Sequence, residues 1–152
     1  MGQNNKAIII AADENINSLE IKYDAMELSL LAKTLGLEVI DIVYYRLRKI
    51  SPSTYVGKGT AESTLNSCKV LGCSNVILNV DISPSQIKNL QNLAGYEIKV
   101  YDRSGIIIEI FSKHAKSKEA KTQVQLAKLQ YLLPRLTRQW THLERQMGGV
   151  GT

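Results

Sequence analysis

The chain has 152 residues, 44% hydrophobic and 22% charged, with a formal net charge of +5. A chain of this length buries roughly 70% of its unfolded surface, so it needs no disulfide to fold, and Cys68 and Cys73 lack the neighbouring histidines or second cysteine pair of a zinc site. No apolar run reaches the roughly 18 residues of a membrane span, Ile8–Ala12 is too short for a signal core, and Lys6 spoils the myristoylation pattern opened by Met1-Gly2; a cytoplasmic protein is expected.

The first hundred residues alternate strand and helix signals. Ala7–Ala12 is an apolar run rich in β-branched residues and reads as a buried strand. Asn17 or Ser18 can cap a following helix that Gly36 stops, with Leu19, Tyr23, Met26, Leu30 and Leu31 on one face. Glu38–Tyr45 is a second strand, Gly57–Leu71 a helix closed by Gly72, and Asn75–Val80 a third strand. Ser83 and Pro84 open another helix that ends at Gly95, and Glu97–Tyr101 is a fourth strand. Such alternation implies an α/β fold, a small four-stranded parallel sheet flanked by helices, with right-handed crossovers and an expected order 2-1-3-4.

After Asp102 the pattern changes, which divides the chain into an α/β part (1–102) and a helical part (103–152). Ile106–Phe111 suits a strand but runs without Gly or Pro into Ala115 and on to Met147, so one long helix from near Ser104 is favoured. Forty-odd residues at about 1.5 Å each would reach roughly 60 Å and project from the sheet domain as a long α-helix. Pro134 falls inside it and removes the N–H that would bond the Gln130 carbonyl, so a kink is expected there. Along it Leu126, Leu129, Leu133, Leu136, Trp140, Leu143 and Met147 recur at steps of three and four, a heptad seam written for a partner helix. Such a seam is expected to self-associate, as in a homodimer, or to fold back onto the sheet domain.

Charge is divided in the same place. Residues 1–102 hold 10 Lys+Arg against 11 Asp+Glu, a net −1, and residues 103–152 hold 9 against 3, a net +6. The basic residues flanking the seam are Lys113, Lys116, Lys118, Lys121, Arg135, Arg138 and Arg145. Arginine grips phosphate bidentately and lysine acts as a point charge, so the charge suits either a polyanion partner, most simply nucleic acid, or a solvated helix face rich in lysine. Gly57-Lys58-Gly59 between the second strand and its helix is an incomplete phosphate loop: it lacks the first Gly and the Lys-Ser/Thr ending of the full motif, leaving either an ordinary flexible turn or a weak nucleotide- or RNA-phosphate contact at a helix N-terminus. His114 and His142 read as surface residues, and no nucleophile–base pair stands at a suggestive spacing, so no catalytic residue is assigned.

Taken together, YDRSGIIIEIF (101–111), KTQVQLAKLQYLLPRLTRQWTH (121–142) and GGVGT (148–152), with YVGKGTAE (55–62) and DISPSQIKN (81–89) before them, resemble the N-terminal region of HflX-type ribosome-associated GTPases. The resemblance covers the chain from about Lys6. It implies a small parallel α/β domain followed by the first half of an antiparallel helical hairpin, with Gly148, Gly149 and Gly151 in its connecting loop. It also implies binding to the large ribosomal subunit and its rRNA, with a role in splitting or rescuing ribosomes. The family's GTPase domain, which carries GTP and Mg²⁺, is expected to lie beyond Thr152, so this chain alone is expected to be no enzyme; ATP is a further candidate ligand of its N-terminal domain.

Overall fold

A computed structural model describes residues 4–135. The elements run β1 (Lys6–Asp13), α1 (Leu19–Thr34), β2 (Glu38–Arg46), α2 (Lys58–Val70), β3 (Asn75–Leu78), α3 (Pro84–Ala94), β4 (Lys99–Tyr101), α4 (Arg103–His114) and α5 (Lys118–Arg135). The sheet is parallel throughout, in the order β2-β1-β3-β4 that the alternation predicts. Helix boundaries follow local chemistry. Ser18 accepts from the Ile21 amide, Ser83 and Gln86 form a reciprocal capping box with Pro84 at the first helical position, and Gly36, Gly72 and Gly95 take positive φ just past three helix ends.

The central strands are covered on both faces. Ile8, Ile10, Val76 and Leu78 face α2 and α3; Ala7, Ile9, Ala11 and Ile77 face α1 and α4. The Asn79 side chain accepts from the Ala12 amide (3.0 Å) and donates to its carbonyl (3.1 Å), which locks β1 to the end of β3.

Of the five large residues grouped on one face of α1, four share an outward face and Leu31 packs against the core. Leu19, Tyr23, Met26 and Leu30 are 58–71% exposed, while Ile21, Ala25, Leu28 and Ala32 are buried. The two stripes lie on opposite sides of a helix with 3.6 residues per turn. Alanines on the inner stripe allow the helix to lie close to β1 and β2, so fit to the sheet outranks the bulk of the outer residues.

The single helix expected from Ser104 onward is two helices. Ile106–Phe111 is helical, but Ala115 is extended (φ −67°, ψ 121°) and closes α4. Ser117 then accepts from the Ala120 amide (3.0 Å) and starts α5. Instead of projecting about 60 Å from Ser104, the chain turns at residues 115–117 and α5 returns antiparallel along α4, touching α3 as well. It thus bridges α4 and α3 across a cleft from β4, the edge of the sheet, where bare strands otherwise invite pairing with other chains. Gln91 completes the cover by accepting from the Val100 amide (2.9 Å) and donating to the Ile98 carbonyl (2.7 Å). Pro134 is accommodated inside α5.

Candidate functional site

Two constellations distinguish the α4–α5 region: a buried ionic cluster at one end and a basic turn at the other. Strands and α5 run one way and α1 to α4 the other, so Asp102 and Arg135 meet at the carboxyl edge of the sheet. The α4–α5 turn lies at the opposite edge.

Asp102 follows β4 directly and caps α4, its Oδ1 accepting from the Gly105 amide at 2.9 Å. It is fully buried. Oδ1 also accepts from the Tyr131 hydroxyl at 2.5 Å. Oδ2 accepts from the Ile82 amide and from Arg135 Nη2, each at 3.4 Å. Arg135 stacks over the Tyr131 ring, 3.5 Å from its centroid, and donates through Nη1 to the Tyr131 carbonyl at 2.6 Å. Burial, and then the hydrogen bond and charge of Asp102, push the Tyr131 hydroxyl well above the ordinary tyrosine range; Arg135 opposes this in part. A carboxylate out of water is tolerated only with such partners. No residue of α5 is fully buried, so its seating depends on Tyr131 and Arg135, which reach back to Asp102. Sequence reasoning counted Arg135 among phosphate contacts and gave Asp102 and Tyr131 no role. The structure places the Arg135 side chain, 16% exposed, inside the fold.

A second set of polar ties surrounds the same edge. Arg103 pairs with Asp24 (2.9 Å) and Glu27 (2.7 Å), and Asp81 accepts from both the amide and the hydroxyl of Ser104. These bonds fix the start of α4 against α1 and the end of β3.

At the other edge Lys113, Lys116, Lys118 and Lys121 are all exposed and lie within nine residues of one turn. Lys113 is held there by donating to the Leu35 carbonyl at 3.2 Å. No carboxylate lies within ion-pair distance of these four lysines among the described residues. His114 is exposed beside them. Arg138, Arg145, Gly148, Gly149 and Gly151 lie outside the described residues.

The three expected phosphate-loop residues open α2. The Gly57 amide donates to the Tyr45 hydroxyl at 3.3 Å, so one donor of the loop is already engaged. Lys58 is 73% exposed beside Glu62, and a side chain at Gly59 would meet open space. On the seam, Leu126, Leu129 and Leu133 are 41–57% exposed. They stand opposite the stripe of Val124, Lys128, Tyr131 and Arg135 that faces the body of the protein. Leu136, Trp140, Leu143 and Met147 lie outside the described residues. Cys68 and Cys73 are both free and buried; desolvation raises the Cys68 thiol to about 12.

Residues 22–112 match the family model described as the GTP-binding GTPase N-terminal region, and residues 114–152 match the GTP-binding GTPase middle region. The junction between the two falls at the α4–α5 turn. The chain belongs to the HflX family of GTP-binding proteins. The GTPase HflX of Escherichia coli is 39% identical over 128 residues, covering 84% of this chain and 30% of that protein. The GTPase HflX of Alkalihalophilus pseudofirmus is 39% identical over 145 residues, covering 95% of this chain and 34% of that protein. The chain thus spans about a third of the length of these HflX relatives. Among solved structures, a GTP-binding protein from Sulfolobus solfataricus in complex with GDP superposes with a TM-score of 0.70 at 21% identity, covering 96% of this chain and 43% of that one. An SsGBP variant gives 0.73 at 23% identity, covering 90% and 41%. These likenesses establish a shared fold. Among the described residues no helix is long and apolar enough to cross a membrane.

Proposed function

We propose that this chain is the rRNA-gripping region of an HflX-type GTP-binding protein that acts on the large ribosomal subunit in the cytoplasm. The observation that carries this reading is the exposed lysine cluster Lys113, Lys116, Lys118 and Lys121 where α4 turns into α5, with none of the four in an ion pair among the described residues although Glu119 lies between them in the chain. Phosphate contacts need only such exposed cations, and a helix pair fixes their spacing better than a loop does. GTP hydrolysis with Mg²⁺ belongs, in this reading, to the part of HflX proteins that this chain does not match, and the chain acts as a binding arm.

Four phosphate contacts imply that the affinity falls with salt at a logarithmic slope of about −3.6, a loss of roughly a hundredfold between 50 and 200 mM. Co-sedimentation of the chain with large ribosomal subunits across that range measures it. Lys116→Ala/Lys118→Ala/Lys121→Ala should weaken binding and flatten the slope by about 3. Binding that ignores both salt and the triple substitution overturns the proposal.

One observation favours a second reading, contact between a nucleotide phosphate and Gly57-Lys58-Gly59. Lys58 is exposed and the space beside Gly59 is open for a ligand to approach the backbone. Titration of ATP and GTP against the chain and its Lys58→Ala variant tests it; equal affinities leave the loop as a helix start secured by Tyr45.

A further inference from the structure

We propose that the cleft between the β4 edge, α3 and α5 is a binding site for a small aromatic organic anion. The cleft has a volume of about 290 Å³, close to the lower end for ligand pockets. Its walls are built by four elements: Ile87 from α3, Val100 and Tyr101 from β4, Ile108 from α4, and Tyr131 and Leu132 from α5. Two tyrosine rings among aliphatic side chains suit a flat apolar body.

The polar groups around it are biased to one sign. Lys88, Lys99, Lys128 and Arg135 line the cleft against a single carboxylate, Glu109. Glu109 is engaged by Lys128 at 3.5 Å, and Arg135 by Asp102. Lys88 and Lys99 therefore have no carboxylate within ion-pair distance among the described residues. Lys99 lies over the Tyr101 ring, 4.8 Å from its centroid, which holds the ammonium at the cleft instead of free in solvent. An apolar slot with two uncompensated ammonium groups at its edge favours a ligand carrying a carboxylate, sulfonate or phosphate on an aromatic frame. The site is separate from the lysine turn proposed for RNA, since β4 and the middle of α5 form it.

The probe is 1-anilinonaphthalene-8-sulfonate, followed by fluorescence on the 152-residue chain, with circular dichroism confirming that each variant is folded. The expected result is one saturable site. Lys88→Ala/Lys99→Ala should weaken it by about tenfold or more, and Leu132→Trp, which fills the cleft from a partly exposed position, should abolish it. The uncharged analogue N-phenyl-1-naphthylamine should bind more weakly than the sulfonate. Non-saturable binding, or binding unchanged in both folded variants, places the dye on exposed helix faces and overturns the proposal. A neutral analogue that binds as tightly as the sulfonate overturns its anionic part.

Discussion

Asp102→Asn tests whether the buried cluster seats α5. Asparagine keeps the size and one oxygen, so the cap on Gly105 and the Tyr131 bond can persist in weaker, uncharged form. What disappears is the negative charge facing Arg135, whose side chain is only 16% exposed. The new amide group also meets two donors, the Ile82 amide and Arg135 Nη2, where Oδ2 accepted from both at 3.4 Å. Breaking a fully buried ion pair by removing one partner costs about 3–5 kcal/mol. The residual exposure of Arg135 and the long 3.4 Å contact lower this to about 2–3 kcal/mol. Urea unfolding followed by far-ultraviolet circular dichroism measures the loss. A chain of this size should also lose roughly 5–10 °C in Tm. Combining the change with Arg135→Met removes both charges, and the cycle should show coupling of about 1–3 kcal/mol. A loss under about 0.5 kcal/mol, or zero coupling, would refute the argument that this cluster seats the helix.

Three further outcomes are expected. Gly105→Ala gains about 1 kcal/mol of helix propensity, but its Cβ would stand 2.9 Å from Tyr131 Oη and 3.1 Å from Asp102 Oδ1. Losing that charge-assisted bond costs about 1.5–3 kcal/mol, so urea titration should show net destabilisation, and a stabilised variant contradicts the geometry. Tyr131 and Cys68 both hold their protons more tightly folded than unfolded, against ordinary values of 10.0 and 9.0. Their contribution is therefore full below the unfolded values and is lost as pH rises, from 9.0 to about 12 for Cys68 and from 10.0 upward for Tyr131; unfolding curves at pH 8 and 11 should differ, with a smaller difference in Tyr131→Phe. The exposed leucines of α5 should drive concentration-dependent self-association in sedimentation equilibrium, which Leu129→Glu should reduce; a monomer at all concentrations rules this out.

The sheet was legible because its strands carry period and punctuation together. Apolar runs bounded by Gly36, Gly72 and Gly95, with Ser83-Pro84 opening α3, leave little freedom in the order of elements, and parallel pairing follows from the alternation. The α4–α5 turn was hidden because Ala115-Lys116-Ser117 contains neither Gly nor Pro. Its signal was the capping serine at 117, three residues before Ala120, and a continuing apolar period outweighed it. The orientation of α1 was not legible for a related reason: a pattern of large residues shows a stripe but not which side faces inward, and Ala25 and Ala32 mark the buried side by their smallness. Asp102 was illegible as a site residue because its partners lie 29 and 33 positions away, on a helix that only the hidden turn brings back.

The turn and the cluster bear on the proposed RNA contact together. The lysines sit where α4 gives way to α5, and the angle between those helices is set at their far ends by Asp102, Tyr131 and Arg135. Since α5 has no fully buried residue, weakening the cluster should loosen the whole helix while the sheet stays folded. Salt-dependent binding would then fall in Asp102→Asn without any lysine being touched, through lost spacing of the cations and not lost charge. The distinguishing result is the slope: the lysine substitutions lower it, whereas Asp102→Asn should reduce affinity at every salt concentration and leave nearly the same slope. An unchanged affinity in Asp102→Asn would separate the turn from the cluster and leave the lysines acting as a local patch alone.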